Sequence, residues 1–416
     1  MNKRRAKDTK AVEGRQVQEG VMKAIAGHIQ LGIRGRKLDD EKVWEILVYA
    51  SVNQMSIEAA CRELAQAPSG NTVREHLGAA LDDEREAVVN LEERLNALLW
   101  AGLPRWVRRG LSQGCFEIAI DLHDIPYHGQ AALNPQEIRK GPARSGTTHF
   151  HSYASLAIVH NRCRYQLAVG LVWADESLAE VVGRLIEPAK SLIQSGKSLK
   201  LRFGRAYLDK GFCTKEVFAV LRAKGLPYLI PIPLRGKKDQ QGVYTGGIGR
   251  LFKGNKSFYS QYTFKAKTPD AYTTDVVIVR TYSAGRYARK GVTWFAYAVY
   301  KLGRIPANQI FRLYRRRFGI ESGYRQLEQV RARTTSTSPA LRLLLVGLAL
   351  ILLNLYFCLR TGWFTLHSYG SRLRCVNLSL YRLARFFSRL IELSLGVNPI
   401  LHSRSAPTLP LDFVIY

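Results

Sequence analysis

The sequence is poor in acidic residues and lacks paired cysteines. It has 33 Asp and Glu against 62 Lys and Arg, which gives a formal net charge of +29 at pH 7. The six cysteines are scattered without a C-x-x-C pair, which argues against both a disulfide framework and a zinc site and favours a reducing, cytoplasmic location. The positive surplus predicts a polyanionic partner, most simply nucleic acid, with an anionic membrane surface as the alternative.

The sequence also has little that predicts export or membrane insertion. No apolar segment follows the basic start MNKRRAKDTK, so we expect no signal peptide. One run, residues 341–359, approaches the roughly 20 apolar residues that a membrane span needs. Asn354 lies inside it and a basic helix lies just upstream, and both favour a buried core helix over a span. The 416 residues, 46% of them hydrophobic, are enough for two or three domains.

Residues 1–105 predict an all-α N-terminal domain that binds DNA. Ser56 is a candidate cap for one helix, and Thr72 and Glu75 have the spacing of a capping box at the start of the next, near Asn71 or Thr72. Two short helices across a glycine-containing turn predict a helix-turn-helix within 56–80 that presents Arg74 to DNA. An ordinary helical bundle is the alternative.

From residue 110 the pattern changes to short apolar strands alternating with helices. Three strands, a helix, a strand, a helix and a strand are the element order of an RNase H-like α/β fold. The predicted strands are 116–120, 148–159, 165–173, 199–208 and 228–232, and the predicted helices are 175–195 and 214–224. The segment 104–114 between the two domains is rich in arginine and is predicted to be a basic linker.

The rest of the chain divides into three parts. Residues 233–304 alternate like strands and have no helical period, which predicts a β-rich insertion. The catalytic domain would then be completed by 305–360, with one helix over 311–331. Residues 361–416 form a basic C-terminal segment with an amphipathic helix over 378–395, which contacts DNA, a second subunit or only solvent.

Two aspartates come directly after predicted strands, Asp121 after the first and Asp209 after the fourth. Sites in open α/β sheets lie at the carboxyl ends of strands, so these side chains are candidate site residues. Glu321, on the helix 311–331, is a third acidic candidate. Three clustered carboxylates repel one another unless a cation balances them, and Mg²⁺ or Mn²⁺ prefers such oxygen ligands. Asp124 is the alternative to Asp121, and a structural pairing of Glu321 with arginine is the alternative to a metal site.

The spacing of Tyr314, Arg317 and Glu321 resembles the signature of insertion-sequence transposases of the IS-four type. The segments FEIAIDLHDIPYHG and RAYLDKGF resemble the family's first and second aspartate strands, and RSGTTHFHSYA is similar to the ISH-three branch. The family expects a lysine where this chain has Glu328. The nearby arginines 325 and 331 are candidate replacements.

The resemblance implies a DDE transposase whose catalytic and metal-binding residues are Asp121, Asp209 and Glu321. It implies an RNase H-like core in 110–232 and 305–360, the β-rich insertion at 233–304, and two Mg²⁺ or Mn²⁺ ions about 4 Å apart. The expected reaction is cleavage at the element's terminal inverted repeats and strand transfer into target DNA. The expected protein is prokaryotic, cytoplasmic and associated with the nucleoid. It is expected to act on double-stranded DNA as a homodimer or larger assembly and not to bind a membrane.

Several further residues are expected to contact DNA, because they are basic or aromatic and lie on the Glu321 helix, in the β-rich insertion or in the predicted helix-turn-helix. They are Tyr314, Arg317, Arg325, Arg331, Trp294 and Arg74. Trp294 is a candidate for stacking on an unpaired base, with packing in a sheet as the alternative. His149 and His151 alternate onto one strand face, where a structural role is favoured over contact with phosphate or metal.

Three other functions remain open from the sequence alone. A metal nuclease with the same fold and carboxylates would cut nucleic acid without transposition. A catalytically inactive DNA-binding protein would retain the basic surface. A basic membrane protein would be built around residues 341–359.

Overall fold

The computed structural model describes residues 14–114, 116–160, 164–190, 193–194, 197–198, 202–234, 239–240, 242, 244–264, 271–284, 290–360, 365–366, 374–375 and 378–398. Side chains at 14, 188–190, 193–194, 197–198, 283–284, 290, 318–322, 365–366 and 374–375 lie outside this description. The helices are α1 (Gly14–His28), α2 (Asp40–Val52), α3 (Ile57–Glu63), α4 (Gly70–Ala80), α5 (Arg85–Ala101), α6 (Arg105–Ser112), α7 (Leu178–Lys190), α8 (Lys215–Ala223), α9 (Ile310–Tyr314), α10 (Gly319–Glu328), α11 (Pro339–Cys358) and α12 (Leu380–Leu395).

Nine strands of the described chain form one mixed sheet. They are β1 (Glu117–Pro126), β2 (Ile138–Arg144), β3 (Thr147–Val159), β4 (Gln166–Leu171), β5 (Ala206–Leu208), β6 (Tyr228–Pro231), β7 (Phe258–Phe264), β8 (Tyr272–Ala284) and β9 (Lys290–Tyr300). The order across the sheet is β2-β3-β1-β5-β6-β9-β8-β7, with β4 also paired to β3. Strand β5 is parallel to β1 and to β6, and the other pairings are antiparallel.

Strands β7 to β9, from the region predicted as an insertion, continue this sheet. Strand β9 pairs with β6 from Tyr300↔Tyr228 to Tyr297↔Pro231. The alternation read from the sequence is therefore correct for these strands, and their pairing joins them to the core. The domain boundaries drawn from the sequence stay a prediction.

The first strand is longer than its sequence predicts. We expected it to end at residue 120 before a loop, but β1 continues to Pro126 because β3 pairs with its whole length, from Glu117↔Val159 to Pro126↔Phe150. The edge strand β2 was not predicted at all. Its sequence, IRKGPAR, contains Gly and Pro, which weaken a strand pattern but are tolerated at a sheet edge.

The other elements between residues 160 and 232 are mostly shorter than predicted. Helix α7 covers 178–190 of the predicted 175–195, and the residues 193–194 are already extended and pair with 197–198. Of the predicted strand 199–208 the described part forms only at 206–208, while 199–201 lie outside the described residues. Helix α8 and strand β6 lie where the sequence predicts them.

Helices α3 and α4 form a close pair. Ser56 caps α3, as predicted, by accepting from the N–H of Ala59. Helix α4 begins at Gly70, earlier than predicted, because the hydroxyl of Ser69 accepts from the N–H of Thr72. A Cβ on Gly70 would lie 2.6 Å from the Cα of Glu58, so glycine permits this approach of the two helices.

The predicted linker and residues 378–398 of the predicted C-terminal segment both pack into the protein. Residues 105–112 form helix α6, which buries Val107 and Leu111. Helix α12 packs on α2, where the hydroxyl of Tyr49 donates to Glu392 at 3.1 Å. The chain after α12 pairs with the end of α3, because Leu64 and Val397 form a β-bridge. Helix α12 also packs on α1, so the first and last described helices share one bundle.

Helix α11 lies in the core, as its sequence favoured. It packs on α5 and β4, and 83% of its most apolar stretch of 18 residues is buried. Among the described helices it alone is long and apolar enough, by length and composition, to cross a membrane. Asn354 accepts from the N–H of Gln166 at 2.7 Å and donates to its C=O at 2.9 Å. The side chain of Asn354 thus provides hydrogen-bond partners for the N–H and C=O of Gln166 on the edge strand β4.

The predicted single helix 311–331 is wrong in one respect. It is divided into α9, a 3₁₀ turn at Arg315–Phe318, and α10, which ends at Glu328. Residues i and i+3 of a 3₁₀ turn eclipse each other, so Tyr314 and Arg317 align on one side. That side faces the sheet, where Ile310 and Tyr314 pack with Tyr207 and Tyr297 in a second, smaller core.

Candidate active site

Asp121 and Asp209 are neighbours because their strands are parallel and in register. The paired residues are Ile118↔Ala206, Ala119↔Tyr207 and Ile120↔Leu208, so the two aspartates are the next residues on each strand. Asp121 lies within β1, but it lies where the parallel pairing ends. The sequence therefore predicted the juxtaposition, although β1 itself does not end there.

One arginine contacts both carboxylates. The Nη2 of Arg317 donates to Oδ2 of Asp121 at 3.0 Å, and its Nη1 lies 3.3 Å from Oδ1 of Asp209. The side chains are 6% exposed for Arg317, 11% for Asp121 and 39% for Asp209. The site thus has a buried carboxylate, a solvent-accessible one and a cation between them.

Two tyrosines hold the backbone around the pair. Tyr314, buried beside the second core, donates its hydroxyl to the C=O of Leu208 at 3.2 Å and receives a hydrogen bond from Arg317. Tyr324, on α10, donates to the C=O of Asp121 at 2.9 Å and bonds the hydroxyl of Ser155 on β3. Burial raises the pKa of both hydroxyls, which keeps them neutral donors.

The electrostatics at Asp121 favour binding of a cation. Burial raises the pKa of Asp121 to about 6, and the charge of Asp209 acts in the same direction while Arg317 opposes it. A buried carboxylate beside a second one is stabilised by added positive charge. Carboxylate oxygens also suit Mg²⁺ or Mn²⁺. Asp121 and Asp209 therefore fit two of the ligands that such an ion requires.

The alternative first aspartate, Asp124, has a different environment. Its carboxylate accepts from the hydroxyl of Ser152 on β3 at 2.6 Å. Side chains alternate along a strand, so position 124 lies on the opposite face of β1 from position 121. Arg317 contacts Asp121, and this geometry favours Asp121 over Asp124 as the partner of Asp209.

The third predicted carboxylate, Glu321, lies on α10 by its backbone, but its side chain lies outside the described residues. Its part in the site stays a prediction. Among the side chains that the structure describes, no group of three His, Cys, Asp or Glu is positioned to hold a metal ion.

Glu328, at the position where a lysine was expected, belongs to an ion-paired cluster. It accepts from Nε2 of His123 at 2.8 Å and from Nη2 of Arg331 at 2.8 Å. Burial alone would raise the pKa of Glu328, but these two hydrogen bonds lower it to about 2. The ring of His123 also stacks on Tyr324, with centroids 4.7 Å apart.

Sequence reasoning missed His123 and Tyr324. A signal was available for the first: position 123 is two residues after Asp121, so both side chains share one face of β1. Tyr324 lies three residues after Glu321 on α10, which makes them neighbours along one side of the helix. The sequence could not link the two positions, because it does not show how α10 packs on β1.

The residues expected to contact DNA differ in accessibility. Arg74 and Arg325 are exposed, whereas Tyr314 and Arg317 lie inside the site and Arg331 is largely occupied by Glu328. Contact of these residues with DNA stays a prediction.

Trp294 and the two histidines have packed environments. Trp294, partly buried, stacks on Phe252 with centroids 5.6 Å apart, and the guanidinium of Arg280 lies 5.7 Å from the Trp294 ring. His151 is fully buried, and His149 is partly exposed. These surroundings agree with the structural alternatives given for Trp294 and His151.

A cavity of about 760 Å³ opens beside Asp209. Lysines 210 and 215 line it together with aromatic side chains from β7 and β8, among them Tyr262 and Tyr272. Glu216 lines the cavity as well, so Asp209 borders a space with charges of both signs and with aromatic side chains.

Comparison with known proteins identifies a family and a similar fold. Residues 117–355 match the family model described as Transposase DDE domain. The cryo-EM structure of piggyBac transposase in a synaptic complex with hairpin DNA is similar, with a TM-score of 0.50 and 9% sequence identity. The similarity covers 93% of this chain and 82% of that chain, and at this identity it shows the fold alone. No curated protein sequence matches this one.

Proposed function

The chain belongs to the transposase DDE domain family, and we propose that it cuts DNA at the ends of its own mobile element and joins those ends to target DNA. The observation that carries the proposal is the position of Asp121 and Asp209 on adjacent parallel strands, one buried and one accessible, with a shared contact to Arg317. We propose the IS-four type, in its ISH-three-like branch, as the closer relationship within the family, and an RNase H-like fold for the catalytic core.

We propose that Asp121, Asp209 and Glu321 hold one or two Mg²⁺ or Mn²⁺ ions. When bound, such ions supply the charge that activates an attacking oxygen and stabilises the leaving oxygen of a phosphodiester. Arg317 offsets the repulsion between the two aspartates and fixes their separation. Tyr314 and Tyr324 fix the two strands by bonding the C=O of Leu208 and of Asp121.

The proposed substrate is double-stranded DNA. The net charge of +29 and the exposed arginines, Arg74 on α4 and Arg325 on α10, supply phosphate contacts. In this proposal α3 and α4 form the helix-turn-helix that docks on the element's inverted repeats. Two copies of the chain would act on paired ends.

The test is cleavage of a duplex that carries the element's own ends, with Mg²⁺ and with EDTA. We expect Asp121→Asn and Asp209→Asn to reduce cleavage at least about a thousandfold, which corresponds to about 4 kcal/mol of transition-state stabilisation. Both variants should still bind the ends. Asp124→Asn is the matched control on the same strand and should retain cleavage.

Three outcomes would contradict the proposal. Cleavage that survives in Asp209→Asn would remove the assigned role of that carboxylate. DNA binding that does not depend on salt would contradict the proposed phosphate contacts, because such contacts release counterions. Metal-dependent cutting without any strand-transfer product would leave a nuclease of the same fold.

A further inference from the structure

Arg342 is a buried cation without a counter-ion among the described residues. It lies in the first turns of α11 and is 8% exposed. Its Nε donates to the C=O of Ser336 at 2.5 Å, and no carboxylate of the described chain pairs with it. Burial lowers the pKa of Arg342, and the charge of Arg331 acts in the same direction. An uncompensated buried charge destabilises a folded protein unless a ligand balances it.

The neighbours of Arg342 on β3 offer polar groups but no negative charge. Both ring nitrogens of His151 and the hydroxyl of Tyr153 are buried without a hydrogen-bond partner in the described structure. Burial, together with the charge of Arg342, lowers the pKa of His151 to about 3, so its ring is neutral. Arg342 and Arg331 both act electrostatically on Tyr153. The whole group therefore carries excess positive charge.

This group lies beside the candidate active site. Arg331 bonds Glu328, and Glu328 bonds His123, which is two residues from Asp121 on β1. The chain from Arg331 towards α11 also passes the start of α3, where the N–H of Arg333 donates to the C=O of Met55 at 3.0 Å. The segment between Arg331 and Arg342 therefore connects the surroundings of the candidate active site with the start of α3.

We propose that Arg342, supported by Arg331, binds one phosphate of the DNA backbone beside the Asp121 and Asp209 site. This inference rests on the proposed function. A phosphate supplies the missing negative charge, and its oxygens match the paired N–H donors of a guanidinium. A free phosphate ion presents the same chemistry, and we favour the DNA phosphodiester because the group adjoins the proposed cleavage site.

The test compares Arg342→Met with a matched control, Arg94→Met, which removes an exposed arginine from α5. We expect Arg342→Met to weaken binding of the element's ends about tenfold, as the loss of charge-assisted hydrogen bonds does. The slope of log affinity against log salt should fall by about 0.9, which is the loss of one phosphate contact. Arg94→Met should change neither.

Thermal unfolding of the DNA-free variants separates this role from a structural one. Because Arg342→Met removes an uncompensated buried charge, its Tm should equal or exceed that of the wild type. A lowered Tm together with a loss of binding would assign Arg342 to the fold and overturn the inference. Equal DNA affinity and salt dependence in Arg342→Met and wild type would also overturn it.

Two further arms identify the source of the phosphate. Single methylphosphonate substitutions along the duplex should weaken wild-type binding at one position where Arg342→Met shows no additional loss. The second measurement is the effect of inorganic phosphate on Tm. If phosphate raises the Tm of the wild type but not of Arg342→Met, and the two proteins bind DNA with equal affinity, Arg342 binds free phosphate and the inference is overturned. If wild type binds no DNA at all, the proposed function fails; if only the Arg342 effects are absent, this inference fails alone.

Discussion

Two places in the described part of the protein hold one arginine between two carboxylates, and they differ in access to solvent. Arg184, on α7, contacts Glu92 of α5 and Glu176, whose side chains are 6% and 7% exposed. Arg317 contacts Asp121 and Asp209, of which Asp209 is 39% exposed. The charges are alike, but the first cluster is closed in the sense that both of its carboxylates are buried, whereas Asp209 of the second borders a cavity.

In the closed cluster, protein oxygens accept hydrogen bonds from all three nitrogens of the Arg184 guanidinium. Arg184 donates to both oxygens of Glu176 at 2.9 Å, to the C=O of Leu171 at 2.8 Å and to Glu92. A Cβ on Gly170 would lie 2.8 Å from both Arg184 and Glu92. The cluster thus joins two helices to the end of β4. Open space beside a carboxylate, rather than the ion pairing itself, therefore distinguishes the candidate chemical site from the structural one.

The largest expected effect is on stability at the closed cluster. Arg184→Met should lower the free energy of unfolding by about 3–5 kcal/mol, because it leaves two buried carboxylates without their cation. Arg317→Met should cost less, since Asp209 is partly solvated. Urea denaturation of both variants measures the difference. A triple variant with Glu92→Gln and Glu176→Gln added to Arg184→Met is the control and should regain most of the loss. An equal decrease in the free energy of unfolding for Arg184→Met and Arg317→Met would show that the two clusters do not differ in this way.

The second prediction separates the clusters by pH. Burial raises the pKa of Asp121 to about 6 and that of Glu92 to about 7, both above their values in the unfolded chain. The native state therefore binds more protons than the unfolded state, and stability falls as pH rises through about 4 to 6 for Asp121 and about 4.5 to 7 for Glu92. Across each window the free energy of unfolding is expected to fall by about 3 kcal/mol.

Unfolding free energies between pH 4 and pH 8 measure these windows. Asp121→Asn should remove the lower one and Glu92→Gln the upper one. Added Mg²⁺ should reduce only the window of Asp121, because the ion favours the ionised carboxylate. A Mg²⁺ effect that persists in Asp121→Asn and Asp209→Asn would contradict the assignment of the metal to these residues.

The smallest expected effect concerns the support of the open site. Tyr324→Phe removes the hydroxyl that bonds the C=O of Asp121 and the side chain of Ser155. We expect a loss of about 1 kcal/mol in stability and about tenfold in cleavage, since Asp121 loses one of the bonds that fix it. Tyr381→Phe, an exposed tyrosine on α12, is the control for both measurements. Unchanged cleavage in Tyr324→Phe would show that the bond does not position Asp121.

Much of the fold was predictable because local patterns are short-range properties. The apolar run of α11, the cap at Ser56, helix α8 and strand β6 depend on composition and spacing within a few residues. The strand-then-aspartate segments around Asp121 and Asp209 are of the same kind. Element ends were less predictable: β1 gains six residues from its pairing with β3, and the Arg317 turn divides the predicted helix into α9 and α10.

The sequence by itself determined the basic charge, the two strand-linked aspartates and the alternation of helices and strands, because each is written in neighbouring residues. Only the tertiary structure decided that one arginine contacts both Asp121 and Asp209, that His123 and Tyr324 lie beside Asp121, and that Arg342 is buried without a counter-ion among the described residues. These depend on strand register and desolvation, which join residues far apart in the chain: Arg317 contacts Asp121 across 196 positions.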